Sequence, residues 1–205
     1  MSTWINKKKT ALLAPLLISA CVAMGGGQTV PAAVPGGVAL AGPSGFCLVE
    51  STRQSAGDRD LAAFRRCGDT AAPDAVLTVV VGTEGSARGL DPSAEAMGAY
   101  FNGPEGRQAL SRSGDAETVT VHELRDADGA LLIRLSDQSQ PGGADNWRAV
   151  TVLRDRIVTL GVRSPSDGPA LPGAEAERLI QLFLTAMRDA NVPSGGLPFG
   201  LGQRA

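Results

Sequence analysis

The chain has 205 residues, of which 43% are hydrophobic but only 4% aromatic, enough for the core of one ordinary domain packed mainly with Ala, Val and Leu. Its only lysines are Lys7, Lys8 and Lys9. The remainder sets 16 arginines against 21 acidic residues, a net charge near −5, which speaks against a basic surface for nucleic acid. One histidine, His122, rules out a His-based metal cluster, and a lysine-free body rules out a P-loop. No cofactor or metal is expected.

Residues 1–20 read as an export signal. The three lysines precede an apolar run, Ala11 to Ser19, that is too short for a membrane-spanning helix, which needs about 20 residues. Ile18-Ser19-Ala20-Cys21 resembles the lipobox of bacterial lipoproteins. That resemblance implies diacylation of the Cys21 thiol, cleavage after Ala20 and acylation of the new amino terminus. The expected location is then the cell envelope, on the periplasmic side, with the bilayer as a partner through Cys21. The alternative is ordinary cleavage, for example after Ala23, giving a soluble periplasmic or secreted protein.

Residues 21–44 are rich in Gly, Pro, Ala and Val without period or charge, the composition of a flexible tether. With Cys21 acylated, Cys47 and Cys67 remain as a pair. An oxidising compartment favours a disulfide between them, worth roughly 3 kcal/mol for a loop of about 20 residues. Two buried free thiols and a redox pair are the alternatives, the last lacking the CxxC spacing that tunes thiol reactivity.

A single α+β domain is expected over 45–191. Phe46 to Glu50 reads as a strand. Asp58 is placed to cap a helix running to about Cys67, with Leu61 and Phe64 on one stripe and Gly68 ending it. Ala75 to Val81 is a continuous apolar run, expected near the centre of a sheet. Asp91-Pro92 opens a helix carrying Ala94, Met97 and Phe101, and Pro104 to Leu110 adds a short second piece.

Thr118 to Leu124 alternates until Leu124 falls out of phase, as at a bulge or a strand end. Asp126 to Gly129 is a hairpin turn, and Ala130 to Leu135 returns from it. Its Asp-Ala-Asp-Gly start lacks the rest of a calcium loop. A polar loop from Ser136 leads to a second hairpin, Trp147 to Leu153 and Ile157 to Val162, around Arg154-Asp155-Arg156. A last helix spans about Gly173 to Ala190, with Ala176, Leu179, Ile180, Phe183 and Met187 on one stripe. Residues 192–205 form a Gly-rich tail expected to be disordered.

The order β-α-β-α-β-β-β-β-α predicts a mostly antiparallel sheet covered by helices. That order resembles the Mog1/PsbP-like α/β sandwich, whose members mostly bind partners and lack active sites. No nucleophile elbow, dinucleotide fingerprint or carboxylate pair stands out, and His122 is expected on the strand face opposite Val119 and Val121. Trp147 and Arg148, at the end of the polar loop, have the character of interface anchors, although a Trp in an aromatic-poor domain also suits a core.

The function expected is therefore a non-enzymatic binding or accessory module that engages another envelope protein. The alternative is a small-molecule-binding or hydrolytic domain whose site gathers scattered carboxylates and arginines in a polar pocket. Intact-mass analysis of the envelope fraction is expected to show a diacylated Cys21 at the terminus. A free Val22 or Met24 terminus would overturn the anchor.

Overall fold

The computed structural model describes residues 32–33, 37–56, 59–91, 93–127, 129–140 and 145–192. The expected signal, Cys21 and the expected tail beyond 192 lie outside the described residues. A two-stranded ribbon, β1 (Ala32–Ala33) and β2 (Ala39–Leu40), precedes an eight-stranded sheet. The sheet contains β3 (Phe46–Leu48), β4 (Gln54–Ala56), β5 (Arg59–Arg66), β6 (Val76–Val81), β7 (Val119–Ala127), β8 (Ala130–Asp137), β9 (Asp145–Leu153) and β10 (Arg156–Arg163). Across it the order is β3, β5, β6, β10, β9, β8, β7, with β4 sharing the outer edge of β5 with β3. Every described pairing in it is antiparallel.

The expected helix over Asp58 to Cys67 is corrected to the strand β5. Leu61 and Phe64 do fall three apart, but local spacing yields here to pairing. Phe64 lies opposite Leu77 and Ala62 opposite Val79, while Leu48 takes the other side of Phe64. As a strand, this segment satisfies the free edge of β6, whose backbone groups would otherwise go unpaired. Asp58 itself lies outside the described residues. No helix links β3 to β5, while α1 and α2 still carry the chain across the sheet from β6 to β7, and the first half joins the second as one antiparallel sheet. Cys47 and Cys67 do form a disulfide, with Cα atoms 5.2 Å apart, but it ties strand β3 to the end of strand β5 rather than to a helix.

The remaining elements follow the hydrophobic pattern closely. β6 is central, between β5 and β10. A register shift between Val121 and Glu123 puts a bulge at His122, which is why Leu124 is out of phase. The β9–β10 turn holds Arg154 and Asp155 at φ of 49° and 61°, the left-handed geometry of a tight hairpin. Helix α1 (Ala94–Asn102) is capped by Ser93, whose side chain accepts from Ala96 N, rather than by Asp91. Asp91 instead accepts from the Ser93 amide at 3.0 Å, one step earlier in the same turn. Helix α2 (Pro104–Leu110) follows at once, with Pro at its start.

The two sheet faces are closed differently. Helix α3 (Gly173–Asn191) lies across one of them and buries Leu179, Ile180, Phe183 and Met187 against Phe64, Leu77, Val79, Val158 and Leu160. Phe64 and Phe183 meet edge to face, with ring centroids 5.5 Å apart. The packed chain also reaches back before Gly45, into the stretch expected to be tether. Val38 is 0% and Leu40 2% exposed in this core. Asn191 accepts from Ala39 N and donates to Ala39 O, both at 2.8 Å, so backbone groups of that stretch are paired as well as its side chains packed.

On the opposite face α1 and α2 cover only one end. Phe101 and Leu110 pack on Val119, Leu131, Ile133, Leu135 and Val150, all at the β7–β8–β9 side. The β5–β6–β10 side of that face is left without a helix, and Leu61 and Val80 remain exposed there.

Phe183 carries the α3 contact, so Phe183→Ala is expected to cost about 3–5 kcal/mol in denaturant unfolding. A loss below about 1 kcal/mol would show that α3 is not seated as described.

Candidate functional site

The uncovered half of the sheet forms the floor of a cleft of about 670 Å³, within the size range of small-molecule sites. Its position follows from the two-residue period of the strands. Apolar residues of β6, β9 and β10, such as Leu77, Ala149 and Leu160, point to α3. Their neighbours Thr78, Arg148 and Gly161 point the other way, into the cleft.

Those three residues form one row across the sheet. Arg148 is paired with Gly161 and Gly161 with Thr78, while Thr78 is paired with Ala63. A Cβ on Gly161 would lie 2.7 Å from Arg148 Nη1 and 2.6 Å from Thr78 Oγ1. The missing side chain is therefore what lets the Arg148 guanidinium lie down over the floor. Two residues further along the strands, Arg163 and Arg65 enter the same cleft.

Two loop segments make the walls. On the β5 side, Thr52 fixes the segment between β3 and β4 by donating to Val49 O at 2.7 Å and accepting from Ala63 N at 3.0 Å. On the other side, Asp137 is fully buried at the end of β8 and collects the residues that follow α2 and β8. It accepts from the Arg112 amide at 2.8 Å, the Ser139 amide at 2.9 Å, the Ser139 hydroxyl at 2.6 Å and Gln140 Nε2 at 3.2 Å. Arg112 and Gln140 are thereby held at the rim.

Four arginines, Arg65, Arg112, Arg148 and Arg163, thus line one cleft whose wall, among the described residues, contains no Asp, Glu, His or Cys. Among the described residues, no carboxylate makes an ion pair with any of the four. Burial pushes the Arg148 guanidinium below its ordinary pKa; the buried Asp137 opposes this and Arg163 adds to it. Arg163 is lowered in the same sense, by burial first and then by Arg112 and Arg65. Each guanidinium stays charged, since Arg titrates far above neutrality. The field of the cleft is consequently positive, although the chain as a whole is negative.

No protein-family model matches the chain, and no curated protein does either. The chemistry must be read from the residues themselves. Guanidinium forks beside the amides of Gln140 and Asn146 and the hydroxyl of Thr78 are donors suited to phosphate or carboxylate oxygens. Among the described residues, no group of three His, Cys, Asp or Glu side chains is placed to hold a metal ion.

The residues singled out from the sequence separate. Trp147 and Arg148 are adjacent but leave β9 on opposite faces. Trp147 is 2% exposed in the α3-side core, with the Arg125 guanidinium 5.4 Å from its ring. Arg148 lines the cleft. His122 is exposed at the β7 bulge, 3.1 Å from Ser136 Oγ and outside the cleft. Cys47 and Cys67 lie at the sheet edge, where the bridge secures β3 beside the end of β5 that carries Arg65. Arg65, Arg112 and Arg163 were not singled out. The one local signal for the site is Gly161, a glycine inside an otherwise apolar strand, which marks a close approach.

Burial alone would raise the Asp137 pKa, but the Ser139 hydroxyl, the Arg112 and Ser139 amides and Gln140 together outweigh it and hold the carboxyl at about 2. A folded-state value below the ordinary 3.8 stabilises the fold above about pH 4, and that contribution is lost as pH falls towards 2. Its size is roughly 2 kcal/mol. Asp137→Asn is expected to cost about that much in urea unfolding at pH 7 and far less near pH 2. An equal cost at both pH values would show that the carboxylate charge does not organise the rim.

Proposed function

We propose that this chain is an exported, non-enzymatic binding module of the bacterial envelope, anchored through acylated Cys21, that captures an anionic group in the arginine cleft. The observation that carries this reading is the convergence of Arg65, Arg112, Arg148 and Arg163 on one concave site with no acidic residue among the described residues of its wall. Four like charges brought together by three strands and a loop repel one another. A fold retains such an arrangement at a cost in stability when an anion is there to be bound.

Binding rather than catalysis is supported by what stands next to the donors. Ser51, Thr52 and Thr78 bring hydroxyls to the cleft, but among the described residues no lining side chain is a general base to activate them. The envelope partner expected from the sequence thereby acquires a chemistry, since it presents phosphate or carboxylate groups. The small-molecule alternative shares this site in its binding form. Its hydrolytic form needs carboxylates among the arginines, and the described residues of the cleft wall supply none.

Thermal unfolding of the full chain tests the reading. At matched ionic strength, inorganic phosphate or citrate is expected to raise the Tm by several degrees over chloride, as ligand binding to the folded state does. Arg163→Gln should abolish that rise while leaving the ligand-free Tm equal or higher, by up to about 1 kcal/mol of relieved repulsion. No difference between phosphate and chloride would overturn the proposal.

A further inference from the structure

The cleft is not uniform along its length, and its two ends differ in a way that bears on what the anion is attached to. Along the strands, two successive rows line it, and a third, of which Leu61 alone reaches the lining, follows at its end. The first carries Arg163 on β10, opposite Val76 on β6, with Arg65 at the matching end of β5. The second carries Arg148 lying over Gly161, then Thr78 and Ala63. The third pairs Val80 with Leu61, and both are exposed, at 38% and 39%. Arg112 and the Asp137 network stand at the first end, so the charge is concentrated there.

Large apolar side chains open to solvent beside a charged site are unremarkable singly. Here they continue its floor, in register, on the one part of this sheet face that no helix covers. A small inorganic anion would use the first two rows and leave the third wet. A molecule with an apolar body attached to the anion would use all three.

We propose that the ligand is an amphiphile, with a phosphate or carboxylate head among Arg65, Arg112, Arg148 and Arg163 and an apolar body lying over Ala63 towards Leu61 and Val80. This rests on the reading of the cleft as an anion site and adds the class of molecule that bears the anion. The volume of about 670 Å³ leaves room beyond the head for such a body. The arrangement is also directional, because reversing the ligand would bury its chain against guanidinium groups and expose its head to Leu61 and Val80.

Isothermal titration of the full chain separates the two levels of the proposal. The probes are decyl phosphate, decanoate, inorganic phosphate, acetate and decyltrimethylammonium, each below its micelle concentration. Each decyl anion is expected to bind at least about tenfold more tightly than its chainless counterpart, since burying even two methylenes suffices for that. The phosphate and carboxylate arms identify the preferred head, and the cationic detergent should give no binding.

Leu61→Gln with Val80→Thr, both at exposed positions, should erase the preference for the chain while leaving inorganic phosphate affinity unchanged. Arg65→Gln, also exposed, should weaken both. Decyl phosphate binding no more tightly than inorganic phosphate would overturn the amphiphile and leave the anion reading standing. Equal binding of decyltrimethylammonium, or no binding of either phosphate, would overturn both.

Discussion

Side chains leave a β-strand alternately to its two faces, and almost everything distinctive in this protein follows from how that period meets a sheet closed on one side only. On β9 and β10 the alternation sends Trp147, Ala149, Leu160 and Val162 into the α3 core, and Arg148, Gly161 and Arg163 to the other side. A shift of one residue in either strand would exchange these sets, burying guanidinium groups beneath α3 and exposing the core. The register is therefore held by the hydrophobic face. The arginines occupy their positions because the apolar residues beside them must be buried.

The charged side of this arrangement is supported, not neutralised. The field of Asp137 reaches Arg148, but its oxygens are spent on Arg112 N, Ser139 and Gln140. Elsewhere on the surface the protein pairs its charges in the ordinary way. Arg125 is joined to Glu123 and Glu177, and Arg134 to Glu123 and Asp145. The contrast within one molecule gives the cleft its meaning, because the same sheet that pairs its arginines over β7 and β8 leaves four without carboxylates over β5, β6 and β10.

How much of this was legible beforehand depended on whether the information was local. The β7 bulge, the two hairpins, the central place of Val76 to Val81 and the buried stripe of α3 are written in short periods. β5 was not, because Leu61 and Phe64 satisfy a helical spacing, and only the distant edge of β6 decides between helix and strand. The first residues of the packed chain were missed for a similar reason. Val38 and Leu40 sit in Gly/Pro-rich surroundings, and their burial depends on Asn191 at the far end of the domain. Arg148 stands beside Trp147 in the sequence, yet adjacency along a strand means opposite faces. Its actual companions, Arg65, Arg112 and Arg163, come from two other strands, β5 and β10, and a loop, and no spacing along the chain connects them.

The clamp between Ala39 and Asn191 also has a mechanical side. A chain held by its N-terminal end transmits tension first into β2 and the end of α3, through two hydrogen bonds and the burial of Val38 and Leu40. That load enters on the face opposite the cleft. Strands β6, β9 and β10, which carry the floor, lie across the core from that ribbon, so under the proposed anchor a pull would load helix and ribbon before it reached the guanidinium groups.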